Sequence, residues 1–447
     1  MLKTFANAWK LPDLRRKIIF TFVIIVLYRI GCVLPVPFID SKQLAEWFSG
    51  SDVQASMLNY FNVLSGNSFS QATLFALSVS PYITSSIVIQ LLTIAIPALE
   101  RMSKDGEEGK KKINRITRYV TIGIALLTSY GYFATLNAQN AIQTDGRPKW
   151  FVAIVIIACH CAGAALIMWL AEKINESGIG NGISMILFAN IISSLPTMVS
   201  SFVSHVNAAA SFKDVLIQIL LYLVFIAVGI AIVAFVVFMT ESERRLPVQY
   251  AKRVVGRKMY GGQSTFLPIK LNMSGVMPII FASSILMLPQ TIALFFGTPE
   301  EGSFWAGFLN LFNPSSGQWY SIFYILIELL LIIAFSYFYL AISFNPVEVA
   351  NNLKKNGGFI PGLRPGKPTS DFISKSLKKI TLIGAFFLAV IAVLPMVINI
   401  VTNIFGIDLG SVTFGGTSML IVVGVVLETV RDLESQITMR HYKGFLG

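Results

Sequence analysis

The chain has 447 residues, 54% of them hydrophobic and only 13% charged, with Lys and Arg outnumbering Asp and Glu by 35 to 23. That composition excludes a water-soluble globular domain, because apolar runs of about 18 residues or more are long enough to cross a hydrocarbon core. The three cysteines, Cys32, Cys159 and Cys161, lie inside apolar runs without disulfide spacing and read as small packing residues.

The N-terminal segment joins a basic flank to an apolar run, Ile18 to Leu34, but no small-residue cleavage site follows it. It is predicted as a first transmembrane helix rather than a cleaved signal. The next stretch, FNVLSGNSFSQATLFALSVSPYI from Phe61 to Ile83, carries serines, asparagines and a glycine where a lipid-facing helix wants apolar side chains. Irregular polar backbone is tolerated at depth only where protein or water surrounds it. The stretch therefore reads as a short half-helix folded back into a water-accessible funnel, with Pro81 opening a second span that ends near Ile96.

Eight more spans follow, at Tyr119 to Leu136, Phe151 to Ala171, Ile183 to Val203, Val215 to Met239, Val276 to Phe296, Ile322 to Ile342, Ile380 to Val401, and Phe414 to Val430. With ten spans and both termini inside, 30 Lys and Arg fall on one side and 4 on the other, Arg29 in span one completing the 35. Positive loops stay cytoplasmic, which fixes the orientation. Attraction to anionic lipid accounts for part of this face. The loops Glu241 to Asn272 and Ser343 to Lys379 are longer than helix reconnection needs, and read as docking surfaces for a negatively charged or phosphate-rich partner.

Pro81-Tyr-Ile-Thr-Ser-Ser-Ile-Val in span two echoes Pro278-Ile-Ile-Phe-Ala-Ser-Ser-Ile-Leu in span seven. Span seven comes five helices after span two, an odd number, so the two spans run in opposite directions, as in two inverted five-helix halves. The halves are placed at 1–205 and 206–447. The expected class is an all-α polytopic membrane protein with both halves around a central pore.

Enzyme and metal signatures are missing from the sequence. Cys159-His160-Cys161 cannot converge on one ion, because consecutive helical side chains diverge by about 100°. Gly178 to Gly182 and Gly362 to Lys367 lack Walker spacing and read as turns between helices. No catalytic residue, cofactor or metal is expected. Ionisable residues at depth are Arg29, His160 and Glu328. Arg29 and Glu328 sit at similar depth, which allows a buried pair; the other reading has Arg29 snorkelling outward and Glu328 facing a wet cavity. So few polar groups at depth disfavour the competing assignment, an ion-coupled secondary transporter built from inverted repeats.

Five motifs then point to a family. PYITSSIVIQLL (Pro81 to Leu92), GIGNGIS (Gly178 to Ser184), YAKRVVGRKMYGGQSTFLP (Tyr250 to Pro268), FNPVEVANNLKKNGGFIPGLRPG (Phe344 to Gly366) and FGGTSMLIVV (Phe414 to Val423) resemble the SecY family of bacterial protein-conducting channels. The resemblance runs through all ten spans in order.

It implies a clam-shell of two halves around an hourglass pore in the bacterial plasma membrane, opening sideways between helices two and seven. Signal sequences and nascent polypeptides would engage that lateral gate near Ser85, Ser86, Ile87, Ser283, Ser284 and Ile285. The waist would be an aliphatic ring of Val79, Ile83, Ile183, Leu187, Ile280 and Ile421, an apolar constriction that dewets against ions. The plug would be about 62–76, with Asn62, Leu64, Ser65, Gly66, Ser68, Phe69 and Ser70.

The implied partners are the small subunits SecE and SecG, the motor ATPase SecA, the ribosome and anionic lipids, and not DNA. Docking of motor or ribosome would fall to Arg244, Arg245, Lys252, Arg253, Arg257 and Lys258 in one loop and Lys354, Lys355, Arg364 and Lys367 in the next. Two departures stand out: Glu328 is acidic in a span the family leads one to expect apolar, and position 79 is Val where Ile is common.

Overall fold

A computed structural model describes residues 2–49, 62, 65–144, 146–196, 200, 203, 212–250, 253–255, 258–260, 264–273, 275–296, 303–312, 318–404 and 416–443. The described chain is mostly helical. A short amphipathic helix α1 (Leu2–Lys10) leads into α2 (Pro12–Gly31), whose first turn holds a proline with φ already set for a helix. Helix α3 (Ser41–Ser49) starts where Asp40 Oδ1 accepts from the N–H groups of Lys42 and Gln43. Helices α4 (Ser80–Ala95) and α5 (Pro97–Lys104) bend by 102° at Ile96. Pro97 has no N–H to continue the ladder and restricts Ile96 to extended backbone, which explains the bend.

Helices α6 (Gly106–Ala138), α7 (Lys149–Ser177), α8 (Gly182–Ser193), α9 (Phe212–Glu241) and α10 (Met277–Phe296) follow. The last five are α11 (Phe304–Asn310), α12 (Gln318–Ser343), α13 (Pro346–Lys355), α14 (Lys367–Ile404) and α15 (Gly416–Lys443). Among the described residues, a helix covers all or part of each of the ten predicted spans. By length and apolarity alone, Gly106–Ala138, Lys149–Ser177, Tyr320–Lys355 and Lys367–Leu394 each suffice to cross a membrane. The large side chains Phe22, Leu330 and Phe238 stay on the outside, as a lipid-facing surface requires. The expected boundary near 205 lies outside the described residues.

The long basic loops are not simple connectors. Strands β1 (Glu243–Tyr250) and β4 (Ser264–Lys270) form an antiparallel pair, and β5 (Gly358–Phe359), from the second loop, adds to the other edge of β1. A two-stranded ribbon, β2 (Arg253–Val255) and β3 (Lys258–Tyr260), extends from the first loop. Leu246, Val248 and Ile269 of the sheet bury against Ile360, Ile373 and Leu377, so the two loops and the start of α14 share one core. An expectation of helices alone thus needs this small sheet added. Pro247 is tolerated in the central strand because β5 pairs only with Gln249 and Tyr250.

Candidate functional site

The predicted waist residues converge. Leu187 and Ile191 of α8 pack with Ile421 and Val425 of α15, and Ile83, Ile183 and Ile280 close on the same cluster. These residues come from α4, α8, α10 and α15, so an aliphatic knot forms where helices from both ends of the chain meet. Asn181 and Pro278 set its geometry. Asn181 Oδ1 accepts from the Ile183 N–H at 3.1 Å and caps α8, and Pro278 in the first turn of α10 places Ile280 one turn inside. Val79 sits beside the knot: it is buried in the adjoining core with Ile24, Tyr28 and Ile186, and Ile83 and Ile183 belong to both groups.

The segment before α4 lies against this knot, and its form differs from the expected half-helix. Residues 65–79 run as consecutive turns with one bridge residue, and Asn67, Ala72 and Ser78 have positive φ. Side chains and backbone of the segment bond one another in place of a helical ladder. Ser65 Oγ accepts from the Phe69 N–H, Asn62 Oδ1 accepts from the Ser70 N–H, and Ser70 Oγ donates to the Asn67 carbonyl. Such local side-chain bonds compete with helix formation, which explains the turns.

Four ties dock the segment on its surroundings. Leu74 N–H donates to the Leu34 carbonyl and Val36 N–H to the Ala72 carbonyl; Ser68 Oγ donates to the Cys32 carbonyl; Tyr132 Oη donates to the Phe69 carbonyl at 2.6 Å. Gly31 and Gly163 permit the close approach, since a Cβ on either would collide with Phe75 or the Leu74 carbonyl. Leu64 lies outside the described residues.

A cavity of about 290 Å³ separates α4 from α10. Ser80, Ile83, Thr84 and Val88 form one helical face of its wall, and Ile280, Ser283, Ser284 and Met287 the other. Ser283 and Ser284 line it as expected. Ser85 turns away to hydrogen-bond Thr121 on α6, Ser86 accepts from Gln90 Nε2, and Ile87 and Ile285 belong to the apolar core behind α10. Tyr339 Oη donates to Gln90 Oε1 at 2.9 Å, joining α12 to α4.

On the basic face, Arg244 and Arg245 are exposed on β1, and Arg245 pairs with Glu243. Lys354 and Lys355 are exposed in the last turn of α13, and Arg364 and Lys367 are exposed at the start of α14. Arg364 lies between Gly362 and Gly366, both with positive φ, and its carbonyl accepts from Thr369 Oγ1. Arg253 and Lys258 lie on the ribbon. Lys252 and Arg257 lie outside the described residues.

Arg29 and Glu328 are not paired with each other. Glu328 is 1% exposed on α12, which excludes the wet-cavity reading. Arg29 does not reach outward with its whole head: Nη1 is buried next to Gly66. His160 is buried, bonded through Nδ1 to the Ile156 carbonyl and edge-on to Tyr132, as a packing residue. Tyr132, Gln90, Tyr339 and Asn190 are site residues that sequence reasoning missed. Their signal was a polar group inside an apolar run.

The chain is similar to known proteins in sequence and in fold. The SecY family model matches residues 73–430. Protein translocase subunit SecY of Streptomyces galbus is 41% identical, covering 100% of both chains. The subunit from Thermus thermophilus is 40% identical over 100% of this chain and 98% of its own. Among solved structures, a protein-conducting channel superposes with a TM-score of 0.66 at 17% identity, covering 96% of each chain. Sec61 in the canine ribosome-channel complex does so with a TM-score of 0.62 at 16% identity, again covering 96% of each.

Proposed function

The chain belongs to the SecY family, and from that premise we propose that it is the pore subunit through which unfolded polypeptides cross the bacterial plasma membrane. The observation that carries the reading is the meeting of Ile83, Ile183, Leu187, Ile280 and Ile421 in one aliphatic cluster beneath a polar, turn-rich segment. Branched aliphatic side chains exclude water from a constriction and so oppose ions. They also offer no fixed hydrogen bond that would hold a passing chain.

In this reading, 1–205 and 206–447 are the two halves of the clam-shell, and residues 62–76 are the plug. The cavity between α4 and α10 is the lateral gate, where the apolar stretch of a signal sequence replaces the contacts of the closed gate before passing into lipid. Ser283 and Ser284 face that space directly. Ser85 and Ile87 act from behind the wall by fixing α4 against its neighbours, and Ser86 bonds Gln90 within α4 itself. The sheet-bearing basic face, with Arg364 at its most rigid point, receives SecA or the ribosome. SecE and SecG cover the exposed apolar helices, and anionic lipids meet the basic rim. The chain performs no covalent chemistry; its partners supply the energy.

Reconstitution with SecE and SecG, followed by SecA, ATP and a signal-bearing precursor, tests this function. Protease protection of the precursor that requires both SecA and ATP is the expected result. Uptake of a small solute by the chain alone, without protected precursor, would contradict it.

A further inference from the structure

Arg29 is the charged residue that the pore, plug and gate leave unused. It lies in the last turn of α2, and its stem lines a groove of apolar side chains that includes Ile25, Val26, Ile30 and Val33. Its Nη1 turns inward, where it is buried and has no hydrogen-bond partner among the described residues. The backbone beside it, at Gly66, belongs to the plug segment. A Cβ at Gly66, whose φ is +63°, would stand 3.0 Å from Arg29 Nη1, 2.8 Å from Ser193 Oγ and 3.2 Å from Asn190 Oδ1. On α8, Ser193 Oγ donates to the Asn190 carbonyl and Asn190 Nδ2 donates to Ser78 Oγ, and neither bond is made to Arg29.

We propose that Arg29 is a positioning residue that biases the seated plug toward leaving. The inference rests on reading residues 62–76 as a plug. A guanidinium N–H shut away from water and unmatched by an acceptor disfavours the arrangement that buries it. Withdrawal of Gly66 from Asn190 and Ser193 opens that space to the funnel and hydrates Nη1. The seated state is kept by other ties, among them Tyr132 to Phe69 and Leu74 to Leu34. Arg29 works against them, so the plug is held firmly enough to seal and loosely enough to be displaced. The sign is the distinctive feature: a latch would hold the plug, and this residue opposes it.

The test uses the channel reconstituted with its small subunits, carrying Ser68→Cys with Cys32, Cys159 and Cys161 replaced by Ala. Position 68 is buried in the seated plug, so its rate of thiol labelling reports displacement. Arg29→Met keeps the apolar stem and removes the charge; it is expected to slow labelling about tenfold and to slow precursor transport with it. Arg29→Gln shifts both in the same direction, and Arg29→Lys restores both toward the original. Mere loss of structure would speed labelling, so a slower rate is not a folding defect. Labelling that is unchanged or faster in both neutral variants overturns the proposal. Gly66→Ala tests the seat separately: it forces the close contact apart and should speed labelling, and if it does not, the plug reading fails rather than the role of Arg29.

Discussion

Tyr132 Oη donates a 2.6 Å hydrogen bond to the Phe69 carbonyl, and the two rings lie 4.5 Å apart between centroids. One side chain of α6 therefore holds the backbone and the aromatic anchor of the segment proposed as the plug. Tyr132→Phe keeps the ring contact and removes the bond, leaving a buried carbonyl without that donor. Such a loss costs about 1–3 kcal/mol, and about 1.4 kcal/mol is a tenfold change in an equilibrium. The resting ion leak of proteoliposomes should rise by about tenfold with little change in melting temperature. An unchanged leak would mean that Tyr132 does not hold the seal.

The bond from Tyr339 to Gln90 ties α12 to α4. If the space between α4 and α10 is the gate proposed above, Tyr339→Phe removes about 1 kcal/mol from the state that keeps α12 on α4. Because apparent affinity scales with the fraction of binding-competent channel, a synthetic signal peptide should bind about fivefold more tightly in a fluorescence titration. Equal affinity would show that the gate parts elsewhere.

Arg364 is exposed, and the turn that presents it is set by Gly362 and Gly366 at φ of +83° and +110°. Arg364→Glu should leave the melting temperature nearly unchanged, within about 0.5 kcal/mol of stability, and reduce SecA-driven transport severalfold. Gly362→Val should do the reverse, destabilising the loop through strain. A fall in stability with Arg364→Glu would assign the side chain a structural role.

Glu328 is buried and its Oε2 has no hydrogen-bond partner among the described residues. Glu328→Gln keeps the volume and removes the possibility of a buried charge, so the melting temperature in detergent should not fall. A drop of several degrees would reveal a cationic partner for the carboxylate.

How far the sequence reaches differs from element to element. The spans were legible because apolar runs broken by charge report membrane helices without any tertiary knowledge, and Pro81 and Pro278 do open the first turns of α4 and α10. Ring residues such as Ile83 and Leu187 came from family resemblance alone, since a branched aliphatic residue in a membrane helix carries no mark of facing a pore. The turns of residues 65–79 were missed because three residues other than glycine adopt positive φ there, a choice made by surrounding contacts. The pairing of Gln249 with Phe359 and of Tyr250 with Gly358 joins positions over a hundred residues apart, beyond any local pattern. Arg29 was visible as an anomaly, and only the fold reveals that it faces Gly66 rather than Glu328.

The aliphatic knot as the path of the moving polypeptide is the central claim, and site-directed photo-cross-linking tests it most directly. A photoreactive residue replaces Ile280, and in a second variant Leu187, in the reconstituted channel holding a precursor stalled partway. Cross-links from both positions to the stalled chain, dependent on SecA and ATP, are predicted. Efficient stalling with no cross-link from either position would place the path elsewhere and contradict the account.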